Sequence, residues 1–175
     1  IKKILIGNIR KDINHVNSIY VDEENTLIGL NNGNKNNLRN AQLIKINTNL
    51  ILNSENDIDA YDVGELIELK NIYHSHDIEN VQNNFYLSAS ETGEIYQLNP
   101  FKKIISIEKW TRGITSSEKS IYIGKSGAAK RFLRHTRYYS GSILVLDINS
   151  KKIINRIIIP RIGQLNDIMY MKDIL

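Results

Sequence analysis

Residues 73–108 read YHSHDIENVQNNFYLSASETGEIYQLNPFKKIISIE, and this stretch decides the fold. It contains four short apolar runs, around Ile78, Tyr86, Ile95 and Ile105. Polar turn residues separate the runs, so each has the length of a strand and the connections between them are short. Four consecutive strands with tight turns predict one antiparallel meander, which is the unit that forms a single blade of a β-propeller.

The same unit recurs along the chain. Four segments align so that an isoleucine coincides in each, at Ile19, Ile78, Ile114 and Ile168. The spacing between them varies, because the loops between the strands differ in length. Repetition of a four-stranded unit is typical of propellers. We therefore predict an all-β fold, a partial β-propeller of four-stranded antiparallel blades.

The alignment predicts about three blades and the start of another. Blade one spans about 11–70, blade two about 73–108, blade three about 110–159, and the next blade begins at 163–175. Residues 1–9 are interpreted as the outermost strand of a preceding blade, and 31–40 and 53–62 as loops of blade one. Because a ring needs about four to eight blades, we interpret the chain as a fragment, and expect the remaining blades from further chain or from a second copy.

The alternatives to the propeller are a helical fold and another all-β fold. The alternation of apolar and polar residues in 120–124 and 142–147 does not fit the 3.6-residue period of a helix, which argues against a helical fold. A β-sandwich or a solenoid remains open as an all-β alternative.

The composition indicates a globular chain of ordinary type, with 41% hydrophobic and 24% charged residues. Cysteine is absent, which excludes disulfides, thiol catalysis and cysteine-ligated metals. No apolar run approaches the ~20 residues of a membrane span, so no membrane partner is predicted. The chain opens without a secretory signal, and we expect a cytoplasmic location, with further residues before Ile1 in the complete protein.

Polar residues precede the aligned isoleucines. Two positions earlier stand Asn17, His76, Arg112 and Asn166, and four positions earlier stand His15, His74, Trp110 and Gln164. Every second residue of a strand faces the same way, and the first strand of each blade lines the central channel. The pattern therefore predicts a polar ring at one channel mouth. The alternative is that these side chains satisfy backbone groups or hold channel water.

The ring composition favours an anionic or hydroxyl-bearing ligand over Ca²⁺, which prefers several oxygens. Asp77 and Asp167 stand one position before the aligned isoleucines, so alternation turns them away from the ring unless a bulge redirects them. His15, His74 and His76 are of a type that binds transition metals, but a lone HxH motif is weak evidence. We predict no metal and no cofactor. No nucleophile is identifiable, so catalytic residues and enzymatic activity stay open.

A second candidate site is the basic segment 125–139, KSGAAKRFLRHTRYY, between the second and third strands of blade three. This connection should overhang the same channel mouth. Its cations alternate with aromatic residues, and we hypothesise that Arg131 and Arg134 bind phosphate, sulfate or a stacked base. The alternative is a solvated surface loop or short helix. A net charge of only +4 argues against a nucleic-acid partner.

Three sets of motifs resemble a known family: HVNSI at 15–19, HS at 74–75 followed by SETGE at 90–94, and RGI at 112–114 followed by IGKS at 123–126. Together they resemble an uncharacterised bacterial β-propeller family, a conserved hypothetical domain of unknown function. The resemblance implies a propeller and points to His15, Asn17, His74, Arg112 and Gly113.

The chain departs from that family at Ser18 and His76, where glycine and proline are expected. A weaker resemblance is to lactonase-type six-bladed calcium propellers, through Asn166-Asp167-Ile168. The acidic metal ligands of those enzymes are not recognisable elsewhere in the sequence.

The predicted function is ligand binding at the channel mouth, with a small anionic or sugar-like molecule or a protein as the partner. The predicted ligand-binding residues are His15, Asn17, His74, His76, Arg112, Asn166, Arg131 and Arg134. The alternative is a metal-dependent, lactonase-like hydrolase.

Overall fold

A computed structural model describes residues 3–6, 15–31, 33–34, 37–38, 40–107, 110–127, 139–162 and 164–171. Over these ranges the chain forms sixteen strands and two short helices. It divides into two compact units, Ile1–His76 and Asp77–Leu175.

The first unit contains a four-stranded antiparallel sheet with several additions. Its elements are β1 (Ile4–Leu5), β2 (His15–Val21), β3 (Asn25–Asn31), β4 (Gly33–Asn34), β5 (Asn37–Leu38), β6 (Ala41–Asn47), α1 (Thr48–Asn53), β7 (Ile58–Asp59), α2 (Ala60–Val63) and β8 (Glu65–Leu69). The sheet has the order β2-β3-β6-β8, while β4 and β5 form a separate two-stranded hairpin. Blade one is therefore a meander with an insertion between its third and fourth strands.

Two short helices lie in the insertion. Helix α2 begins within the loop predicted at 53–62, whereas α1 reaches that loop only at Asn53. The Asn47 side chain accepts from the backbone N–H groups of Asn49 and Leu50 and so begins α1. Asp59 accepts from the N–H of Tyr61 in the same way and begins α2. These side chains satisfy amide groups that have no partner in the first turn of a helix.

The assignment of residues 1–9 to a preceding blade was wrong for the described part of that stretch. Ile4 and Leu5 instead pair in parallel with Ile58 and Asp59 of the insertion. A blade meander is antiparallel throughout, so β1 is an addition to blade one and not an outer strand.

The second unit holds two further four-stranded antiparallel sheets. Their strands are β9 (Ser75–Val81), which begins at the end of the first unit, β10 (Asn84–Ala89), β11 (Glu94–Leu98), β12 (Phe101–Ser106), β13 (Thr111–Ser116), β14 (Ser120–Lys125), β15 (Gly141–Asp147) and β16 (Ile153–Ile159). In both sheets the spatial order follows the chain, β9 to β12 and β13 to β16. The strands of blades two and three thus coincide with those that the alternation predicted.

One apolar cluster joins these two sheets. It comprises Val81, Tyr86, Ile95, Ile114, Ile121, Ile123, Leu144, Leu146 and Ile148, all buried. Residues from β9, β10 and β11 pack against residues from β13, β14 and β15, as expected for neighbouring blades. At the outer edge, by contrast, β16 exposes large side chains such as Ile154 and Ile158, which are 61% and 65% accessible.

Buried hydroxyl groups in or directly after the second strands of blades two and three bond to the segment that follows each blade. Ser88 bonds Thr111, with 2.8 Å between the hydroxyl oxygens, and Ser126 Oγ donates to the Leu165 carbonyl at 2.7 Å. Thr111 and Leu165 each stand three positions before an aligned isoleucine, Ile114 or Ile168. Both bonds therefore reach the same aligned position, although Ser88 lies within β10, Ser126 follows β14, and the described residues 164–171 form no strand.

The aligned isoleucines differ in exposure. Ile78 and Ile114 are buried, whereas Ile19 is 62% accessible. Among the described residues, no helix is long and apolar enough to cross a membrane.

Candidate functional site

The first strands of blades one and three share an irregularity. The pairing of β2 with β3 shifts between Val16 and Ser18, and the pairing of β13 with β14 shifts between Thr111 and Ile114. A β-bulge leaves its extra residue out of the ladder and re-aims the side chain. Asn17 and Arg112 occupy these bulges, so two aligned polar positions are structurally equivalent.

In the first unit, Asn17 lies beside the histidine segment. Its Nδ2 donates to the Ser75 carbonyl at 2.9 Å, and Ser75 stands between His74 and His76. His74 has a φ of 53°, which places it in the left-handed region just before β9. His15 begins β2 and is exposed. The structure thus brings Asn17 together with the segment that carries two of the predicted histidines.

In the second unit, Arg112 and Asn166 meet directly. Arg112 Nη1 donates to Asn166 Oδ1 at 3.2 Å. This contact joins the first strand of blade three to the segment that follows the blade, and both residues belong to the predicted site. Arg131 and Arg134 lie outside the described residues. The ring that would combine residues of both units stays a prediction.

The segment that follows blade three approaches the backbone of β13 closely at Gly113. Its φ is +75°, and a Cβ there would lie 2.6 Å from the Ile168 nitrogen and 2.9 Å from the Asp167 carbonyl carbon. Backbone atoms cannot move aside as the end of a side chain can. Glycine is therefore needed both for the φ and for the space.

Two acidic side chains of β9 reach β13 across the junction between blades. The Asp77 carboxylate accepts a hydrogen bond from the Gly113 N–H, and Glu79 Oε1 accepts from Ser116 Oγ at 3.2 Å. Asp77 and Glu79 are two residues apart on the strand and so face the same way. Both were missed as site residues, although their D-x-E spacing is the available signal.

The surroundings raise the pKa of both carboxyl groups. Burial is the main cause for Asp77, whose pKa rises from 3.8 to about 6; the charge of Asp167 adds to the rise, while the Gly113 N–H and Arg112 oppose it. Burial also raises the pKa of Glu79, again with a contribution from Asp167 and against the hydrogen bonds from Ser116. A low-dielectric site disfavours the charged form of a carboxyl group.

We call Asp77, Glu79, Arg112, Asn166 and Asp167 the inter-blade cluster. It combines three carboxyl groups with one guanidinium and one amide, so it offers hydrogen-bond acceptors and donors together. An anion would meet three acidic groups here, whereas a ligand with neutral hydroxyl groups could bond to both kinds of partner. Among the described residues, no three His, Asp or Glu side chains are arranged to hold a metal ion.

A surface cavity adjoins the inter-blade cluster. Its volume is about 490 Å³, and its lining comprises Ser116, Ser117, Glu118, Lys119 and Tyr170. Ser116 also donates to Glu79, so the cavity and the cluster share a residue. The Tyr170 ring stacks on Tyr122, with 5.7 Å between the ring centroids, which holds an aromatic side chain at the cavity wall.

Comparison with known proteins gives a fold and no family. No family model matches the chain, and no curated protein matches it. Solved structures do match. The β-propeller domain of the Trilobed protease from Pyrococcus furiosus, which has an open velcro topology, is 16% identical with a TM-score of 0.51; the match covers 86% of this chain and 44% of that one.

Two peptidase structures match in the same way. Pyrococcus horikoshii acylaminoacyl peptidase is 10% identical with a TM-score of 0.58, over 93% of this chain and 27% of that one. An acylaminoacyl peptidase in complex with Z-Gly-Gly-Phe-chloromethyl ketone is 9% identical with a TM-score of 0.50, over 86% and 26%. This chain therefore spans less than half the length of these structures. The likeness and the three four-stranded meanders together establish the fold as a partial β-propeller.

Proposed function

We propose that this propeller is a non-catalytic binding domain for a neutral, hydroxyl-bearing ligand of the sugar type. The observation that carries the proposal is Ser116, which bonds Glu79 of the inter-blade cluster and also lines the cavity beside Tyr170. A ligand in the cavity would thus meet hydroxyl groups, a carboxyl group and an aromatic wall. Binding sites of this kind combine apolar surface with a few placed polar groups.

The charges of the inter-blade cluster favour one of the ligand classes that the sequence left open. The inter-blade cluster holds three carboxyl groups against the single guanidinium of Arg112, so a small anion is disfavoured at the described part of the site. A sugar needs donors and acceptors in similar number, which Ser116, Glu118 and Lys119 of the cavity lining supply. The peptidase propellers are similar in fold alone, and their activity does not enter the proposal.

Saturation-transfer NMR and calorimetry on the full-length protein test the proposal. The candidate ligands are cellobiose, maltose, glucuronate and inorganic phosphate. We expect the neutral disaccharides to bind and phosphate not to compete with them. Lys119 lines the cavity. Replacing it by alanine should weaken disaccharide binding by about 10- to 100-fold, because a hydrogen bond to a charged group is worth about 1.5–3 kcal/mol.

Lys102→Ala provides the matched control, because Lys102 is an exposed cation on β12, the outermost strand of blade two. It should leave the affinity unchanged. Phosphate binding that is lost in Lys119→Ala, with no disaccharide bound, would replace the proposal by an anion site. Stoichiometric Ca²⁺ or Zn²⁺ in the purified full-length protein would favour the metal-dependent hydrolase instead.

A further inference from the structure

We propose that α1, β7 and α2, together with β1, take the place of a neighbouring blade and seal one face of blade one. We call these four elements the blade cap. The inference concerns the architecture around the binding domain and does not depend on the proposed ligand.

Strand register identifies the equivalent faces. In blade one Ile19 pairs with Ile28 and Ile28 with Ile44. In blade three Ile114 pairs with Ile123 and Ile123 with Leu144. Directly paired residues lie on the same face of a sheet. Because Ile19 and Ile114 are the aligned isoleucines, Ile28 and Ile44 correspond to Ile123 and Leu144.

Different elements cover these two equivalent faces. In blade three Ile123 and Leu144 belong to the apolar cluster that includes Tyr86 and Ile95 of blade two. In blade one the same positions, Ile28 and Ile44, belong to a cluster with Ala60, and the residues packed against it are Ile6, Ile51 and Tyr61. Ala60, Ile51 and Tyr61 belong to the insertion, and Ile6 directly follows β1. The blade cap thus occupies the position in which a preceding blade would pack.

The blade cap is fitted closely to the sheet. A Cβ on Gly64, the residue that ends α2, would lie 2.4 Å from Ile44 Cγ2 and 3.1 Å from Ile46 Cγ1. The residue before β1 is tied to the insertion, since Lys3 N donates to Asp57 Oδ1 at 3.0 Å and Ile58 N donates to the Lys3 carbonyl at 3.1 Å. Packing of this closeness is typical of a permanent interior.

The outer side of the blade cap differs from its inner side. A shallow surface cavity there is lined mainly by polar residues, Asn49, Asn53, Ser54, Asp57, Asp59 and Asp62, with Leu50, Ile58 and Val63. The same side also exposes apolar side chains, since Leu50, Leu52 and Val63 are 43%, 65% and 40% accessible. The cap is smaller than a blade, and it leaves Ile19 and Leu66 at the margins 62% and 49% accessible. We therefore infer that the stack of blades ends at this face of blade one.

Thiol labelling of the full-length protein tests this inference, because this chain has no cysteine of its own. Ile46→Cys places a single thiol under the cap, at a position that is 1% accessible. Ile51→Asp should undock α1 and accelerate alkylation of that thiol by about tenfold or more, since local opening then needs less free energy. Any native cysteines elsewhere in the full-length protein are replaced by serine beforehand.

Leu52→Asp is the matched control, because Leu52 follows Ile51 on the same helix but is 65% accessible. It should leave the labelling rate unchanged. An equal rate in Ile51→Asp and Leu52→Asp, in proteins with native circular dichroism, would show that something other than the cap covers the face and would overturn the inference.

A second thiol decides the question if Ile51→Asp does not fold. Leu52→Cys lies on the outer side of the cap, where the inference expects alkylation at nearly the rate of an unfolded peptide. Protection of this thiol in the full-length protein would mean that another blade packs over the cap, and the inference would be wrong.

Discussion

Gly113→Ala should lower the free energy of unfolding by about 3 kcal/mol. A left-handed φ costs a residue with a Cβ about 1–2 kcal/mol, and Gly113 has a φ of +75°. The new methyl group would also overlap the backbone of Asp167 and Ile168, and overpacking typically costs a further 1–3 kcal/mol. The same change should displace the segment that carries Asn166.

Denaturant unfolding followed by fluorescence measures this effect well. The chain has one tryptophan, Trp110, which precedes β13 and lies three residues from Gly113. Gly127→Ala is a suitable control, because Gly127 has no positive φ and its added Cβ would approach the Ser140 carbonyl oxygen only to 3.1 Å. Equal losses in the two variants would contradict the close approach described at Gly113.

Asp77→Asn should stabilise the protein at neutral pH and change its pH dependence. The folded pKa of Asp77 is about 6, against 3.8 for an ordinary carboxyl group. Below about pH 4 both folded and unfolded states hold the proton, so no penalty arises. Between about pH 4 and 6 only the unfolded state ionises, and stability falls as the pH rises. Above about pH 6 the penalty is constant at roughly 3 kcal/mol, since one pKa unit corresponds to about 1.4 kcal/mol.

An asparagine keeps the acceptor for the Gly113 N–H and removes the charge. The difference in unfolding free energy between variant and wild type should therefore grow by about 3 kcal/mol from pH 4 to pH 7. Three other carboxyl groups have a lowered pKa, so their contribution to stability rises with pH; they are Asp22, Glu94 and Asp147. Their contribution is the same in variant and wild type and cancels in the difference between the two unfolding free energies. A difference that does not vary with pH would show that Asp77 titrates normally.

The cost of keeping Asp77 ionised also bears on function. Groups with perturbed pKa values concentrate at binding and catalytic sites, because a purely structural position is free to become asparagine. If Asp77→Asn gains stability but loses disaccharide binding, the carboxylate belongs to the binding site. If binding is unchanged, the hydrogen bond to Gly113 is its only role.

The sheets were predictable because alternation is a local property. In 120–124 and 142–147 the period of two assigns strands directly, and β14 and β15 follow it. The equivalence of Asn17 and Arg112 was also predictable, since both precede an aligned isoleucine by two positions. The bulge at each position was not predictable from the sequence, because it depends on pairing with the neighbouring strand.

The blade cap and the acidic residues were missed for two different reasons. Helices α1 and α2 have six and four residues, too few to establish a helical period, and their capping residues Asn47 and Asp59 are types that also mark loops. For Asp77 the alternation predicted a side chain turned away from the ring, but alternation does not say what lies opposite, and Glu79 was not singled out. Their side chains reach β13 of the next blade, where Asp77 accepts from the backbone N–H of the residue that follows Arg112.

The apolar cluster shared by blades two and three sets the cooperativity of the second unit. Its nine buried side chains come from both blades, so each sheet covers apolar side chains of the other. Hydrogen exchange of β10 and β14 should therefore occur through one common opening and not through two independent ones. A truncation or domain fusion with its boundary between Ile107 and Trp110 would therefore divide one cooperatively folding unit.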